Sequence, residues 1–502
     1  MTKTILVDSL CGETSLAVLE DGALAELYFE SRGHEKRTGN IYAGRVENVL
    51  PGMNAAFVDI GLEKNAFLYA GDIQLPLGAD AELAEKLRNA RIEALVRRGQ
   101  SVMVQVVKEP GGDKGPRVSC HITLPGRLCV LLPTVGYVGV SRRIEDEEER
   151  GRLRAAAEEL AAERGHGLIV RTAAEGVDAA ELRADYAALV RLWESVERRG
   201  RHAGGPALLH QEESLVHRAV RDMLCAQVES VRTDVPALYE QLVEAAGAIA
   251  PEFAARVALD RATTPLFDRF DVWRQAKTAL QRRVWLKSGG YLVFDYAEAL
   301  TVIDVNTGKF VGKRSLSDTV FALNCEAARE IARQLRLRDL GGIIIIDFID
   351  MDSARQREAL LEVLRECLRL DRTRTNLAGI TELGLVELTR KKVRQPIYKQ
   401  KCHVCGACQG SGLVPAHEDI ARRALLEIRR RRMRGDDTPY VVACSPPVAG
   451  VLLGIGAPEN GGTLRVRADA LVPEDAFQME PFLPERPPEG AKLLKPTTGE
   501  MP

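Results

Sequence analysis

The chain reads as a multidomain α+β protein, and three observations predict that class. It has 502 residues, more than a single hydrophobic core accommodates. Short β-branched runs broken by glycine turns crowd residues 40–118, the pattern of a small barrel. Strand and helix patterns then alternate from 285 to 393, as an α/β unit requires.

The elements follow in order. Asp21 and Gly22 sit between alternating apolar runs at 15–19 and 23–29, the signature of a two-residue hairpin turn. Barrel strands are expected at 41–46, 54–60, 66–69 and 101–107, with 80–97 as a charged helical excursion. Runs at 128–132 and 167–170 read as strands flanking a charged helix at 146–163. A helix rich in Glu and Arg follows, up to a loop at 202–206, and 214–281 is again dominated by helix. A helix at 355–370 gathers Leu360, Leu361, Leu364, Cys367 and Leu368 on one face. A small module extends to 482, and the Pro- and Gly-rich stretch 483–502 is expected to be disordered.

Composition narrows the function. The chain is 45% hydrophobic and 28% charged, an ordinary globular balance. A net charge of −2 excludes a uniformly basic nucleic-acid binder and leaves local basic runs at 390–394 and 429–434. Taken alone, such a run is more often a solvated helix face. No apolar run is long enough to span a bilayer, and Asp8 comes too early for a signal peptide. The ten cysteines are mostly scattered, which suits a reducing, cytoplasmic location.

Two aspartates at the ends of apolar strands carry the chemistry. Asp304 closes a Leu-Thr-Val-Ile run, and Asp347 closes Gly-Gly-Ile-Ile-Ile-Ile. A carboxylate where a strand leaves its sheet points into a crevice. Two brought together repel unless a cation lies between them. Hard oxygen ligands suit Mg²⁺, which keeps waters and shares its shell with phosphate. Either aspartate alone would read as a cap on the next turn. Asp350 and Asp352 are either outer groups of the same site or helix-start caps. A nucleotide-triphosphate loop at 306–309 is rejected, because Phe310 stands where Ser or Thr is needed.

The cluster Cys402, Cys405 and Cys408, followed by glycines, has the spacing of a zinc half-site. Tetrahedral zinc needs four ligands. Cys405 and Cys408 supply two, while Cys402 adds a third thiol that a self-contained site with His403 would use. An iron–sulfur ligand set is the lesser alternative.

Long motifs then point to a family. They are residues 37–46 (Arg-Thr-Gly-Asn-Ile-Tyr-Ala-Gly-Arg-Val), 53–61, 64–68, 285–290 (Trp-Leu-Lys-Ser-Gly-Gly), 303–309 (Ile-Asp-Val-Asn-Thr-Gly-Lys), 333–342 and 346–351. Together they resemble the ribonuclease E/G family over nearly the whole chain. The lack of a long charged tail resembles its shorter G type. Gly406 replaces the usual Pro, and Leu323 stands where the family usually has Thr.

The resemblance implies an RNase H-like scaffold (1–38 and 214–280) interrupted by an S1-type OB barrel (39–120) and a 5′-sensor (121–213). A DNase I-like α/β catalytic domain (281–400), a zinc link (401–415), a small domain (416–482) and a tail (483–502) follow. It implies a Mg²⁺-dependent endoribonuclease cutting single-stranded RNA, in rRNA processing and mRNA decay, with 5′-phosphate and 3′-hydroxyl products. Asp304 and Asp347 would hold the metal, with Asn306 orienting a ligand or the phosphate. Phe57 and Phe67 would stack on bases, and Lys114, with Arg117, would hold the backbone. Arg171 and Thr172, with backbone at Gly126 and Val130, would grip a 5′-monophosphate. Arg374 is a further phosphate contact. Zinc on Cys405 and Cys408 would join two chains as a homodimer, or a dimer of dimers. The rivals are a non-catalytic S1-type RNA-binding or assembly protein and a metal phosphodiesterase acting on DNA.

Overall fold

A computed structural model describes residues 2–31, 37–73, 90–109, 115–309, 316–456 and 464–494. Lys114 and most of the expected 80–97 excursion lie outside them. Within 90–97 a single helical turn, Ile92–Leu95, is present. The chain divides into two compact units, 1–397 and 398–502.

In the first unit a five-stranded sheet runs in the order Val257–Leu259, Val228–Thr233, Lys3–Leu10, Glu13–Glu20, Ala23–Ser31. The hairpin forms at Asp21 and Gly22, whose φ values of 45° and 82° are what a type I′ turn demands. Lys3–Leu10 lies parallel to Val228–Thr233, a pairing between segments more than two hundred residues apart.

Five strands close into a barrel: Ile41–Leu50, Ala55–Asp59, Ala66–Tyr69, Arg117–Ser119 and Ser101–Lys108, the last returning to pair with the first. Their alternate residues, among them Val46, Ala56, Val58, Ala66, Leu68, Val104 and Val118, make its core. A four-stranded sheet follows, in the order Val138–Val140, Gly167–Val170, Cys129–Leu132, Leu124–Pro125. Helices Glu147–Arg164 and Ala179–His202 pack on it, and Asp146 caps the first by accepting from the Glu148 and Glu149 amides.

The α/β segment forms a six-stranded sheet in the order Arg283–Trp285, Tyr291–Tyr296, Leu300–Asn306, Gly342–Asp347, Val386–Arg390, Thr375–Ile380. Helices Leu316–Leu337 and Ala354–Arg369 are its helical partners. One face of the sheet is buried through Val284, Leu292, Phe294, Ile303, Val305, Ile344, Ile346 and Leu388. The alternate residues, Asp304 and Asp347 among them, are exposed or half-buried. Period-2 alternation thus leaves one face open to solvent.

In the second unit helices His417–Met433 and Pro446–Ile455 accompany a sheet ordered Phe477–Pro481, Tyr440–Cys444, Leu464–Ala468, Lys492–Leu493. This corrects the expected disorder of 483–502 over its described part. Lys492 and Leu493 pair with Val466 and Arg465, and Leu494 is buried in the module's core. Burial of one leucine and a short ladder outweigh the Pro-rich composition. Residues 495–502 lie outside the described set.

Candidate active site

Asp304, two residues before the end of strand Leu300–Asn306, and Asp347, the last residue of Gly342–Asp347, lie on neighbouring parallel strands and stand directly opposite one another in register. In a parallel pair, opposed residues share a face, so both carboxylates project from the open side of the sheet. Burial raises the Asp347 carboxyl above its ordinary value, and the negative charges of Asp304 and Asp350 raise it further. The Asn306 amide donates to Asp304 Oδ2 at 2.6 Å, which fixes the orientation of that carboxylate. Both sequence-expected acids and Asn306 therefore meet at one place.

The turn after Asp347 is held by a residue that the sequence did not single out for function. Asn324, fully buried on helix Leu316–Leu337, donates to the Ile349 carbonyl at 2.8 Å and accepts from the Ile349 amide at 3.2 Å. Asp350, at the end of this turn, is exposed. Neither Asp350 nor Asp352 caps the next helix: Ser353 does, accepting from the Gln356 amide. The capping alternative for the two acids is therefore corrected, because Ser353 occupies the cap position. Arg374 is exposed just before the edge strand Thr375–Ile380, two strands away from Asp347, and its carbonyl accepts from the Lys391 amide.

Among the described residues no group of three or more His, Cys, Asp or Glu is gathered to hold a metal. The donor set that Asp304 and Asp347 offer is two hard oxygen groups with mutual repulsion to relieve. That fits Mg²⁺, which is bound through one or two carboxylates with water and phosphate completing the shell.

Phe57 and Phe67 are opposed across neighbouring barrel strands, their rings 6.2 Å apart and edge to face. Both are half-buried, while their chain neighbours Ala56, Val58, Ala66 and Leu68 fill the core. The two rings therefore lie on the barrel's outside. Beside Phe67 in register is Arg117, whose guanidinium is paired with Asp72 at 2.7 Å.

Arg171 follows strand Gly167–Val170 and reaches Gly126, donating to its carbonyl at 2.5 Å. Its other nitrogen pairs with Asp222 at 2.8 Å, a partner absent from the sequence-derived set. Burial would raise Asp222, but hydrogen bonds and charge from Arg221, with Arg171, hold it below the usual carboxylate range. Gly126 lies so close to helix Ala179–His202 that a side-chain carbon there would meet Asp185 Oδ2 at 2.6 Å. That carboxylate gathers the amides of Arg127, Leu128 and Cys129, which shapes the turn. Thr172 shares a hydrogen bond with Ser141 at 2.9 Å, and half-buried Val130 pairs with Ile169 in the adjacent strand.

In the second unit Cys402 and Cys405 are exposed and Cys408 is partly so. Backbone amides of Cys408 and Ala407 point at the Cys405 sulfur and, with the Cys408 thiol, lower its pKa. Amides turned on a sulfur stabilise thiolate, the metal-binding form. The structure does not assemble Cys402 with the other two into a closed site. Cys405 and Cys408 fit half of a tetrahedral zinc site, with two ligands still to be supplied.

The sequence profile of the Ribonuclease E/G family matches residues 123–393. The chain is 45% identical over 455 residues to ribonuclease G of Escherichia coli K12, covering 90% of this chain and 93% of that protein. Ribonuclease G of Haemophilus influenzae is 43% identical over 450 residues, with 89% and 91% covered. Ribonuclease E of Nostoc is 42% identical over 401 residues, covering 79% of this chain and 57% of that longer protein. With a catalytic-type carboxylate pair in register and likeness of this extent, the chain belongs to the ribonuclease E/G family.

Proposed function

We propose that this chain is an endoribonuclease that hydrolyses single-stranded RNA at the open face of the six-stranded sheet. The opposition of Asp304 and Asp347 in register is the observation that carries the reading. Those two carboxylates would hold Mg²⁺, which supplies charge neutralisation at the scissile phosphate and a more acidic water. Asn306 orients Asp304, and the Asn324-held turn sets Asp347. Attack by water rather than by the 2′-hydroxyl gives 5′-phosphate and 3′-hydroxyl ends.

The accessory surfaces support a fuller account. The barrel acts as an S1-type OB module, with the outward Phe57 and Phe67 stacking on unpaired bases and Lys114 and Arg117 on the backbone. The four-stranded sheet acts as a 5′-sensor, with Arg171, Thr172, Gly126 and Val130 favouring a monophosphate. The sheet of the first hairpin and 214–280 is the RNase H-like scaffold, and 281–400 the DNase I-like catalytic domain. Arg374 contacts phosphate at the sheet's far edge. Cys405 and Cys408 hold zinc shared with a second chain, in a homodimer or dimer of dimers. Such an enzyme belongs in the cytoplasm, in rRNA processing and mRNA decay. No helix among the described residues is long and apolar enough to cross a membrane.

The test is Asp304→Asn. A 5′-monophosphorylated, unstructured RNA should still bind, measured by anisotropy, while its cleavage in Mg²⁺ falls by at least 10³-fold, an order of magnitude suited to losing a metal ligand. Persistent cleavage would remove the assignment of the metal to this pair. Equal cleavage of a DNA strand of the same sequence would remove the ribonuclease reading.

A further inference from the structure

The open face that carries Asp304, Asp347 and Asn306 also carries an aromatic pair without an assigned role. Tyr291 is directly opposite Asn306, and Trp285 is directly opposite Tyr291 on the edge strand. Opposed residues share a face, so the series Trp285, Tyr291, Asn306 crosses three strands on the catalytic side. Trp285 is 58% exposed. Its ring centroid lies 5.2 Å from that of Tyr291, tilted by 59°. The Arg283 guanidinium lies 4.4 Å from the Tyr291 ring centre and 5.9 Å from that of Trp285. The buried residues between them, Val284, Leu286 and Leu292, point the other way into the core. Trp285 is thus not a core residue that happens to be accessible.

Folding gains little from an indole left this open, whereas a ring presented beside a cation suits a flat, π-rich and anionic ligand. Strand spacing of about 4.8 Å places the Trp285 backbone roughly 10 Å from Asn306, a span of one to two nucleotides. Lys287 and Lys309 are exposed on the loops at this end of the sheet, and Lys309 is tied by its amide to the Gly289 carbonyl. The surroundings add positive charge on the side where a sugar-phosphate chain leaving the carboxylates would run.

We propose that Trp285 and Tyr291, with Arg283 beside them, form a stacking subsite for one unpaired nucleobase within about three nucleotides of the scissile phosphate. The occupant is a base of the strand being cut. A ring platform accepts any base face, so the subsite contributes affinity and strandedness rather than sequence preference. A base in a duplex has both faces covered and cannot use it. This inference rests on the proposed ribonuclease reading of the same sheet face.

The test uses full-length protein and a 5′-monophosphorylated, unstructured RNA with 2-aminopurine placed at each position from three before to three after the cut. In cleavage-deficient Asp304→Asn protein, emission should be quenched at one or two positions by stacking. The quench should vanish in Asp304→Asn/Trp285→Ala and persist in Asp304→Asn/Trp285→Phe. In the otherwise native enzyme Trp285→Ala should lower kcat/KM by about tenfold, the size of one lost base stack, mainly through KM. Trp285→Phe should recover most of that loss. An abasic site at the quenched position should reproduce the loss in native enzyme and add nothing to Trp285→Ala. Quenching that survives Trp285→Ala, or equal loss in Ala and Phe variants, overturns the subsite. If native protein cuts RNA and Asp304→Asn does not while Trp285→Ala matches native, the subsite fails and the ribonuclease reading stands. Native protein inert on RNA would instead remove both.

Discussion

Replacing Asn324 by Ala tests whether the turn beyond Asp347 sets the active geometry. The native amide makes two hydrogen bonds to Ile349, at 2.8 and 3.2 Å, from a position with no solvent exposure. Removing it leaves a backbone N–H and C=O without their partner, at roughly 1–3 kcal/mol for each that stays buried. The turn can relieve part of that by swinging toward water, so a net loss of about 2–4 kcal/mol is expected. That movement passes directly into Asp347, two residues before Ile349, and Asp350, one after. A displacement of about 1 Å at a reacting centre costs on the order of 100-fold in rate. Single-turnover cleavage across a Mg²⁺ titration should therefore show kcat down about 100-fold and a higher half-saturating metal concentration. RNA binding by anisotropy should change little, because the barrel is untouched. Leu452→Ala is the stability control: it opens a cavity at a fully buried site within the core of the carboxy-terminal module for about 2–5 kcal/mol. If Asn324→Ala lowers the melting temperature but leaves kcat and the metal dependence native, the turn does not govern Asp347.

Other consequences are equally direct. Arg171→Ala should erase any preference for a 5′-monophosphate over a 5′-hydroxyl in paired cleavage rates, while Asp222→Asn, which frees one guanidinium edge, should strengthen that preference several-fold; equal losses on both substrates would refute the phosphate role. Glu20, 9% exposed, accepts from Arg336 at 2.8 and 2.6 Å and pairs with Lys3. Burial would raise its pKa, but Arg336 and Lys3 together pull it below the usual value. A depressed carboxylate stabilises fully above its unfolded value of about 4.3, and that contribution is lost as the pH falls through the folded value. Glu20→Gln should thus cost about 3–5 kcal/mol near neutrality by leaving Arg336 underpaired. Urea midpoints of native and variant should begin to converge as the pH falls below the unfolded value of about 4.3 and meet once it passes the depressed folded value, and a gap independent of pH would contradict the pairing. Metal analysis with solution mass should give one zinc per two chains and dissociation on chelation; one zinc per chain in a stable monomer would mean that the ligand set closes within the chain.

Much of the fold was legible because local signals and packing agreed. The Asp21–Gly22 turn and the barrel strands follow from residue type and period alone. Alternation in Ala-Ala-Phe-Val-Asp also held the answer for Phe57: if Ala56 and Val58 are inside, the ring between them is outside. Trp285 was legible in the same way, since Val284 and Leu286 flank it, yet it registered only as part of a motif. What the sequence withheld is register between distant segments. Nothing local says that Asp304 meets Asp347 and not a residue two places along, or that Asp222 lies against Arg171 fifty-one positions earlier. Asn324 escaped because one more polar residue in an amphipathic helix rich in Glu and Arg carries no signal until its burial and its partner in the turn are known. The stretch 483–494 was misjudged because composition counts prolines, and a two-residue edge strand with one buried leucine leaves almost no compositional trace.

The two faces of the six-stranded sheet explain why this fold tolerates such a site. Its buried face supplies the apolar contacts through residues such as Ile303, Val305, Ile344 and Ile346, so the alternate positions carry little responsibility for folding. Those positions can then hold groups that oppose stability. Asp304 and Asp347 stand opposite each other in register, the Asn306 amide donates to Asp304, and the Asp347 carboxyl is raised by burial and by its acidic neighbours. A pair of carboxylates arranged only for stability would have been given a basic partner, as Asp371 and Asp339 are by Arg390 in the same domain. Among the described residues neither Asp304 nor Asp347 is held in an ion pair, which leaves their oxygens available. The same alternation places Tyr291 and Trp285 in line with Asn306. A strand-edge indole there is free to meet a base because the interior does not need it.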